Sequence, residues 1–180
     1  MPRSGAWSRR LTPPRAPRRG CIACWLAPNR EARGAIPCGY FDAVVCNDVI
    51  EHMQNHDTFL NQVRAHLAPG GVLVGSVPNM RHYRALCELL VLRDWHYRES
   101  EVLDRTHLRW FTARSLRRGL RESGYAVERL DGINGGIRFA LSRQYLPQAL
   151  FAWTLILLSR GVWRDIRFLQ LGFRARPVGG

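Results

Sequence analysis

Residues 41–77 constrain the fold most strongly, because they form a pattern of strand, helix and strand joined by short links. Phe41–Cys46 is a short, nearly unbroken apolar run that predicts a parallel strand buried on both faces. Val72–Val77 has the same character. Between them we predict a helix with Asp57 as its N-cap, running through Leu67. A βαβ unit has a right-handed crossover, so this segment predicts an α/β fold with a parallel sheet.

The rest of the chain continues this alternation. Further predicted elements are helices over His82–Leu92, from the N-cap Thr112 to Gly124 and over Leu146–Arg160, strands over Tyr125–Leu130 and Phe168–Arg174, and a turn at Asp131–Gly136. The apolar run Leu146–Leu158 falls short of the roughly 20 residues that a membrane span needs, so we expect a buried helix there. These patterns predict about four strands with flanking helices. That is half of a doubly wound sheet, and it would leave one edge strand unpaired.

Residues 1–36 differ from the rest of the chain. They are rich in arginine and proline and show no apolar period, so we expect them to be disordered and to precede a domain over residues 37–177. The formal net charge is +13, and all 27 basic residues are arginine. Such exclusive arginine use indicates GC-rich codons. Because no recognition module accompanies the charge, we expect no specific nucleic-acid partner.

Five cysteines form no paired framework. Cys46 and Cys87 lie in apolar runs and are predicted to be buried thiols. Cys21 and Cys24 make one C-x-x-C pair, which falls short of the four ligands of a structural zinc site. No secretory signal is evident, so a reducing, cytoplasmic compartment is expected.

Polar side chains follow both strands of the βαβ unit at the point where each strand ends. They are Asn47, Asp48, Glu51 and His52 after the first strand, and Asn79 and Met80 after the second. Carboxyl ends of parallel neighbours share one edge of the sheet, where ligands bind, so these residues should converge. Three interpretations remain open for Asp48, Glu51 and His52. The carboxylates cap a short helix, His52 tuned by Glu51 is a general base or substrate contact, or the group binds a divalent metal.

A second polar cluster, Asp104–Arg109, precedes Trp110 and Phe111. It would either close over the strand ends as a lid or form a loop held by an Asp104–Arg109 ion pair. His107 is its functional candidate. The remaining histidines are expected at the surface or its boundary; they are His56, His66, His82 and His96.

Four segments in this order resemble motifs of class I S-adenosylmethionine-dependent methyltransferases of the type 11 and type 12 groups. Phe41–His52 is similar to the fourth strand and its following acid–histidine pair, and Leu67–Val74 to the L-x-P-G-G-x-L entry of the fifth strand. Asp104–Thr112 is similar to a T-H-L-R-aromatic segment, and Asp165–Gln170 to the approach to the last strand. The resemblance covers about residues 36–177.

The resemblance implies a partial Rossmann-like sheet and S-adenosylmethionine as methyl donor to an oxygen or nitrogen acceptor. By analogy, Cys46, Asn47 and Asp48 would lie near the cofactor, while His52, Glu51 and His107 would be catalytic residues on the acceptor side. Some relatives bind magnesium through an E-x-x-E-H pattern. This chain matches that pattern only in part, as Asp48-x-x-Glu51-His52.

The sequence departs from the family in one respect: it contains no G-x-G. In the family that turn lets the backbone approach the cofactor closely. We therefore expect a truncated domain, with the first 35 or so residues read out of frame and little or no activity. One alternative is a non-catalytic module that binds a partner subunit or forms an oligomer through its exposed sheet edge. Another is peripheral membrane binding through Leu146–Trp163.

Overall fold

The computed structural model describes residues 21–22, 37–135 and 146–179. Its strands are β1 (Cys21–Ile22), β2 (Phe41–Asn47), β3 (Leu67–Pro78), β4 (Tyr125–Gly135) and β5 (Phe168–Pro177). Its helices are α1 (His56–His66), α2 (Tyr83–Cys87), α3 (Ala113–Glu122) and α4 (Leu146–Leu158), with 3-10 turns at Ile50–His52 and Arg164–Arg167 and a π-helix at Glu88–Leu92. The predicted α/β, Rossmann-like class with flanking helices is confirmed.

The five strands form one sheet in the order β1-β2-β3-β5-β4. The pairs β1–β2 and β2–β3 are parallel, whereas β5 is antiparallel to both β3 and β4. The last strand of the chain is therefore inserted between two earlier ones. As a result, β2 and β3 end at the same edge of the sheet, as expected.

The edge of the sheet next to β2 carries one more strand than predicted. Cys21 pairs with Val44 and Ile22 with Val45, so part of this edge is covered. The expectation of an unpaired edge strand is therefore wrong for this part of β2. The predicted disorder of residues 1–36 otherwise falls outside the described residues.

Helix α1 begins at a different cap from the predicted one. Asn55, not Asp57, is the N-cap, and its side-chain oxygen accepts a hydrogen bond from the Thr58 amide at 3.0 Å. Asp57 instead lies inside the first turn, where its charge suits the positive end of the helix dipole. The helix buries Phe59, Leu60 and Val63 against the sheet, as its apolar period predicts.

Helix α3 and strand β4 follow the predicted start and extend beyond the predicted end. Thr112 and Ser115 form a reciprocal capping box, which confirms Thr112 as the N-cap. The chain leaves α3 through Gly124 at φ +80°, a left-handed conformation that suits glycine. The turn predicted at residues 131–136 is wrong as far as residue 135, because β4 continues to Gly135 by pairing with β5.

The main core lies between the sheet and helices α1 and α3. It contains seventeen buried residues, including Leu60, Leu73 and Phe173. Tyr125 is part of it, and its hydroxyl donates to the Leu60 carbonyl at 2.8 Å. That bond satisfies the one polar atom of an otherwise apolar contact. Cys46 and Cys87 are buried thiols, as predicted.

Helix α4 packs in an unexpected way. It buries Ala149, Ala152 and Ile156, whereas Trp153 and Leu157 are 52% and 72% exposed. The prediction of a buried helix is therefore correct for the face that carries Ala149, Ala152 and Ile156 and wrong for the face that carries Trp153 and Leu157. No helix in residues 37–135 or 146–179 combines the length and apolarity that crossing a membrane requires.

The segment predicted as one helix over residues 82–92 contains two kinds of helix. Tyr83–Cys87 is α-helical, and Glu88–Leu92 is π-helical. The π-helix ends at Arg93, whose φ of 54° is left-handed. An irregular loop, residues 94–111, follows and leads back to the carboxyl ends of β2 and β3.

Candidate active site at the strand ends

The carboxyl end of β2 turns sharply toward the candidate site. Asp48 has a left-handed φ of 50°, and its amide donates to the Ser76 carbonyl of β3 at 2.9 Å. Cys46 is buried, whereas the side chains of Asn47 and Asp48 are exposed. Of the three residues assigned to the cofactor, two thus present polar groups at the open edge of the sheet.

Asp48 is held in place by β5. The Gln170 side-chain nitrogen donates to both Asp48 carboxylate oxygens at 2.7 Å. Gln170 pairs with Pro78 across the β3–β5 ladder, so the antiparallel strand brings it beside the end of β2. This contact is not predictable from the sequence. No local signal in the sequence shows that the last strand lies between β3 and β4.

Glu51 is fully buried in the 3-10 turn after β2. Its two carboxylate oxygens have no hydrogen-bond partner among the described residues. Burial, and to a lesser degree the charge of Asp48, raises the pKa of Glu51 to about 7. The interpretation that Asp48 and Glu51 cap the short helix is wrong, because Val49 occupies the N-cap and no side chain caps the turn.

The loop over residues 94–111 docks onto this turn through backbone contacts. The amides of Leu108 and Arg109 donate to the Glu51 carbonyl at 2.8 and 3.1 Å. The Nδ1 atom of His52 lies 3.1 Å from the Thr106 carbonyl, to which it donates. The loop therefore lies against the turn that follows β2, on the side expected of a lid, and leaves Asn47 and Asp48 exposed.

The same loop delivers His107 to Glu51 and His52. His107 is buried, and its Nδ1 atom donates to the Val102 carbonyl at 3.2 Å. Its ring meets the ring of His52 edge to face, with centroids 4.9 Å apart. One potential ligand atom from each of Glu51, His52 and His107 lies within 4.8 Å of the others. We call these three residues the Glu-His-His cluster.

Hydrogen bonding determines which ring nitrogen carries the proton in the two imidazoles of the cluster. A carbonyl oxygen only accepts, so the proton of each neutral ring is on Nδ1. The Nε2 atom of His52, and likewise that of His107, then carries a free lone pair. Such an atom accepts a proton or binds a metal. The cluster is thus equipped for base or metal chemistry, and Asp48 is not part of it.

The ion pair proposed within the loop is absent. Asp104 accepts from the amide and hydroxyl of Thr106 at 2.7 and 2.6 Å, and these bonds hold the pKa of Asp104 below its usual range. Arg109 donates instead to the Gln54 carbonyl. Arg109 therefore ties the loop to the neighbouring turn.

Asn79, at the end of β3, is structural. Its side-chain nitrogen donates to the carbonyls of Asp165 and Phe168, both at 3.0 Å, and its side-chain oxygen accepts from the Arg81 amide. All its polar atoms are thereby used to fix the approach to β5, and none is left for a ligand.

The other histidines lie apart from the cluster. His56 and His66 are half-buried and His96 is exposed, as expected. His82 is buried, so its predicted place at the surface or boundary is wrong. A separate cleft of about 730 Å³ lies at the opposite end of the sheet, lined by Arg64, Gly70 and Arg176 among others, and it shares no residue with the cluster.

Comparison with known proteins identifies the family. A family model described as a methyltransferase domain matches residues 9–130. The match begins within residues 1–36, the segment that was expected to precede the domain. A search of curated proteins gave no match.

Several solved structures are similar to this chain. A methyltransferase from Archaeoglobus fulgidus, described as S-adenosylmethionine-dependent, has 16% identity and a TM-score of 0.51 over 81% of this chain and 63% of its own. A similar enzyme from Mesorhizobium loti has 16% identity and a TM-score of 0.45 over 78% and 64%. The Burkholderia thailandensis 1,6-didemethyltoxoflavin-N1-methyltransferase, solved with S-adenosylhomocysteine, has 14% identity and a TM-score of 0.45 over 78% and 45%.

The present chain therefore spans between about half and two thirds of the length of these structures. The family match covers more than half of it, and the βαβ unit lies where the resemblance predicted it. The chain belongs to the methyltransferase domain family, with the fold of class I S-adenosylmethionine-dependent methyltransferases.

Proposed function

We propose that this chain serves methyl transfer from S-adenosylmethionine to an oxygen or nitrogen acceptor at the carboxyl ends of β2 and β3. The observation that carries the proposal is the convergence of exposed Asn47 and Asp48 with the Glu-His-His cluster at that one edge, in a chain of this family. When bound, S-adenosylmethionine supplies an activated methyl group for in-line displacement.

On the cofactor side, Asn47 and Asp48 offer an amide and a carboxylate at the open edge. These groups suit hydroxyl and amino groups, which donate hydrogen bonds to them. Gln170 orients the Asp48 carboxylate and leaves it exposed. Cys46 is buried behind them and would shape the floor of the site.

On the acceptor side, His52 is the residue we propose as base. Its Nδ1 proton is directed at the Thr106 carbonyl, so Nε2 is free to accept the proton that a hydroxyl loses when it attacks the methyl group. His107 is oriented in the same way by Val102. Glu51 is buried beside them, and burial raises its pKa to about 7.

The absence of a G-x-G turn limits the affinity that we expect. A close backbone approach to the cofactor is a large part of binding in such folds. We therefore propose that the chain by itself binds the cofactor weakly and has little or no activity. The acceptor would be selected by the loop over residues 94–111, which lies against the turn after β2.

Calorimetric titration of the folded chain with S-adenosylmethionine and S-adenosylhomocysteine tests the proposal. We expect saturable binding with a dissociation constant of roughly 0.1–1 mM. Asn47→Ala should weaken it at least about fivefold, and Asn61→Ala, an exposed change on α1, should leave it unchanged. No binding, or binding insensitive to Asn47→Ala, would contradict the assignment of this edge to the cofactor.

A further inference from the structure

Helix α4 contains no charged residue, yet the described residues cover only one of its sides. On the covered side, Ala152 and Ile156 pack in a small core with Tyr83 of α2 and with Ile166. The other side presents large apolar groups to solvent. A helix at the surface of a globular protein normally carries polar residues on its outer side. We call the exposed apolar side chains of α4 and the turn after it the α4 face; they are Leu150, Trp153, Leu157, Leu158 and Val162.

The π-helix over Glu88–Leu92 has the same character. It continues α2, which packs against α4 in the small core. Single exposed leucines are common at protein surfaces, whereas a concentration of large apolar groups on neighbouring elements marks an interaction surface. The last four side chains of the π-helix are exposed and apolar: Leu89, Leu90, Val91 and Leu92.

The charges that flank the α4 face in the sequence are all positive. No acidic residue occurs between Asp131 and Asp165, whereas this stretch contains four arginines. Two of them, Arg160 and Arg164, follow α4 directly and are exposed. Neither forms an ion pair with a described residue. Asp165 pairs with Arg81 instead, at 3.1 Å. The two guanidinium groups therefore suit an anionic partner.

An apolar surface beside exposed arginines fits an anionic lipid membrane. Leucine and tryptophan side chains enter the boundary between head groups and acyl chains, and arginine pairs with lipid phosphates. A second copy of this chain fits poorly, because each copy carries a formal net charge of +13. In a symmetric dimer the same arginines would also lie close to their own copies. Charge complementarity thus favours lipid over a second copy as the cover of the α4 face.

We propose that the α4 face binds the surface of an anionic phospholipid membrane, with Arg160 and Arg164 at the level of the phosphates. Helix α4 has 13 residues. Its length is thus about 20 Å, less than the roughly 30 Å of the hydrocarbon layer. Since its inner side is packed against the protein, the helix lies in the plane of the membrane surface. The proposal does not depend on methyl transfer, and failure of cofactor binding would leave it untouched.

Vesicle flotation with the full chain tests the proposal. The vesicles contain phosphatidylcholine alone or phosphatidylcholine with about 30% phosphatidylglycerol. We expect the chain to float with the anionic vesicles and much less with the neutral ones. Raising NaCl from about 0.1 M to about 0.5 M should weaken the binding without abolishing it, because salt screens the arginines but not the apolar contact.

Serine variants separate the apolar contact from a general attraction of a basic chain to anionic lipid. Leu157 and Leu158 are 72% and 78% exposed, so Leu157→Ser combined with Leu158→Ser should leave the fold intact, which circular dichroism checks. This double variant should bind anionic vesicles at least about tenfold more weakly. Val162→Ser should lose about threefold or more. Its matched control is Val178→Ser, an exposed valine in the cleft at the opposite end of the sheet, which should bind as the parent does.

Arginine variants test the position of the charges. Arg160→Gln with Arg164→Gln should weaken binding to anionic vesicles about tenfold. The matched control, Arg118→Gln with Arg121→Gln, removes two exposed arginines of α3 and should cost less than about threefold.

Three vesicle results would overturn the proposal: no flotation with anionic vesicles, a leucine double variant that binds as tightly as the parent, or an equal loss in the two arginine double variants. Light scattering without lipid examines the competing occupant. An oligomer that dissociates in the Leu157→Ser and Leu158→Ser variant would assign the α4 face to a second copy and overturn the proposal as well. A monomer in both forms is the expected result.

Discussion

At the scale of single residues, burial decides the charge of several side chains. His82 is 5% exposed, and its ring packs against Tyr83 with centroids 4.5 Å apart. Burial, and then the nearby charge of Arg84, lowers the pKa of His82 to about 4. This burial is not predictable from the sequence, since a histidine between Arg81 and Tyr83 resembles any residue at the surface boundary. Its burial follows from the packing of α2.

His82 should make the protein less stable in weak acid. A histidine whose pKa is lower in the folded state than the unfolded value of 6.5 stabilises the fold above pH 6.5. This contribution is lost as the pH falls from 6.5 toward 4. Between pH 7.5 and pH 5 the free energy of unfolding should fall by about 2 kcal/mol on this account.

Urea unfolding at the two pH values measures the effect. His82→Gln cannot titrate and should lose correspondingly less stability between them, whereas the exposed control His96→Gln should behave as the parent does. An equal pH dependence in His82→Gln and the parent would show that His82 is not buried in its neutral form.

At the scale of helices and strands, capping determines where elements begin. Thr112 was identified from the sequence because threonine stands directly before a clear helical period. Asn55 was missed because two cap residues, Asn55 and Asp57, stand two positions apart before α1. Local preference alone does not choose between them. The choice is made by the path of the chain from the Ile50–His52 turn into the helix.

Asn55→Ala should destabilise the protein by about 1 kcal/mol, because it removes the acceptor of the Thr58 amide. Asn61→Ala, at an exposed position within the same helix, should be neutral or slightly stabilising, since alanine is the better helix former. Chemical denaturation followed by circular dichroism compares the two. A larger loss in Asn61→Ala than in Asn55→Ala would contradict the cap seen here.

At the scale of the whole molecule, the sheet depends on close approach between strands that are far apart in the sequence. A Cβ atom at Gly75 of β3 would overlap the Cys46 carbonyl of β2 and the ring of Phe173 of β5. Glycine is therefore required where three strands and the core meet. The sequence shows only a glycine inside an apolar run, which is compatible with a bulge, a bend or a close contact.

The same substitution should have opposite effects at two glycines. Gly75→Ala should cost about 2 kcal/mol or more, because the clash is with backbone as well as with a ring. Gly119→Ala in α3 would meet only the His56 ring, at 3.5 Å, and should stabilise the protein by about 0.5–1 kcal/mol through helix propensity. Thermal and urea unfolding would detect both. A neutral Gly75→Ala would contradict the tight pairing of β2, β3 and β5.

Much of the fold and part of the candidate site could be predicted from the sequence. Local apolar periods predict the strands over Phe41–Cys46 and Val72–Val77 and the helix between them, although the second strand begins earlier than predicted, at Leu67. The meeting of the polar ends of the two strands follows from the geometry of parallel strands. The two strands and the helix each depend on residues within about twelve positions of one another, so a local pattern suffices for them.

Only the tertiary structure decided the rest. The insertion of β5 between β3 and β4 brings Gln170 to Asp48, and the docking of the 94–111 loop brings His107 to Glu51 and His52. These contacts join residues that are 55 to 122 positions apart in the sequence. A local apolar period predicts that a residue is buried, but it does not predict which residue it packs against. The sequence by itself determined which polar groups stand at the strand ends. Long-range packing decided which of them are buried, paired or brought together as a cluster.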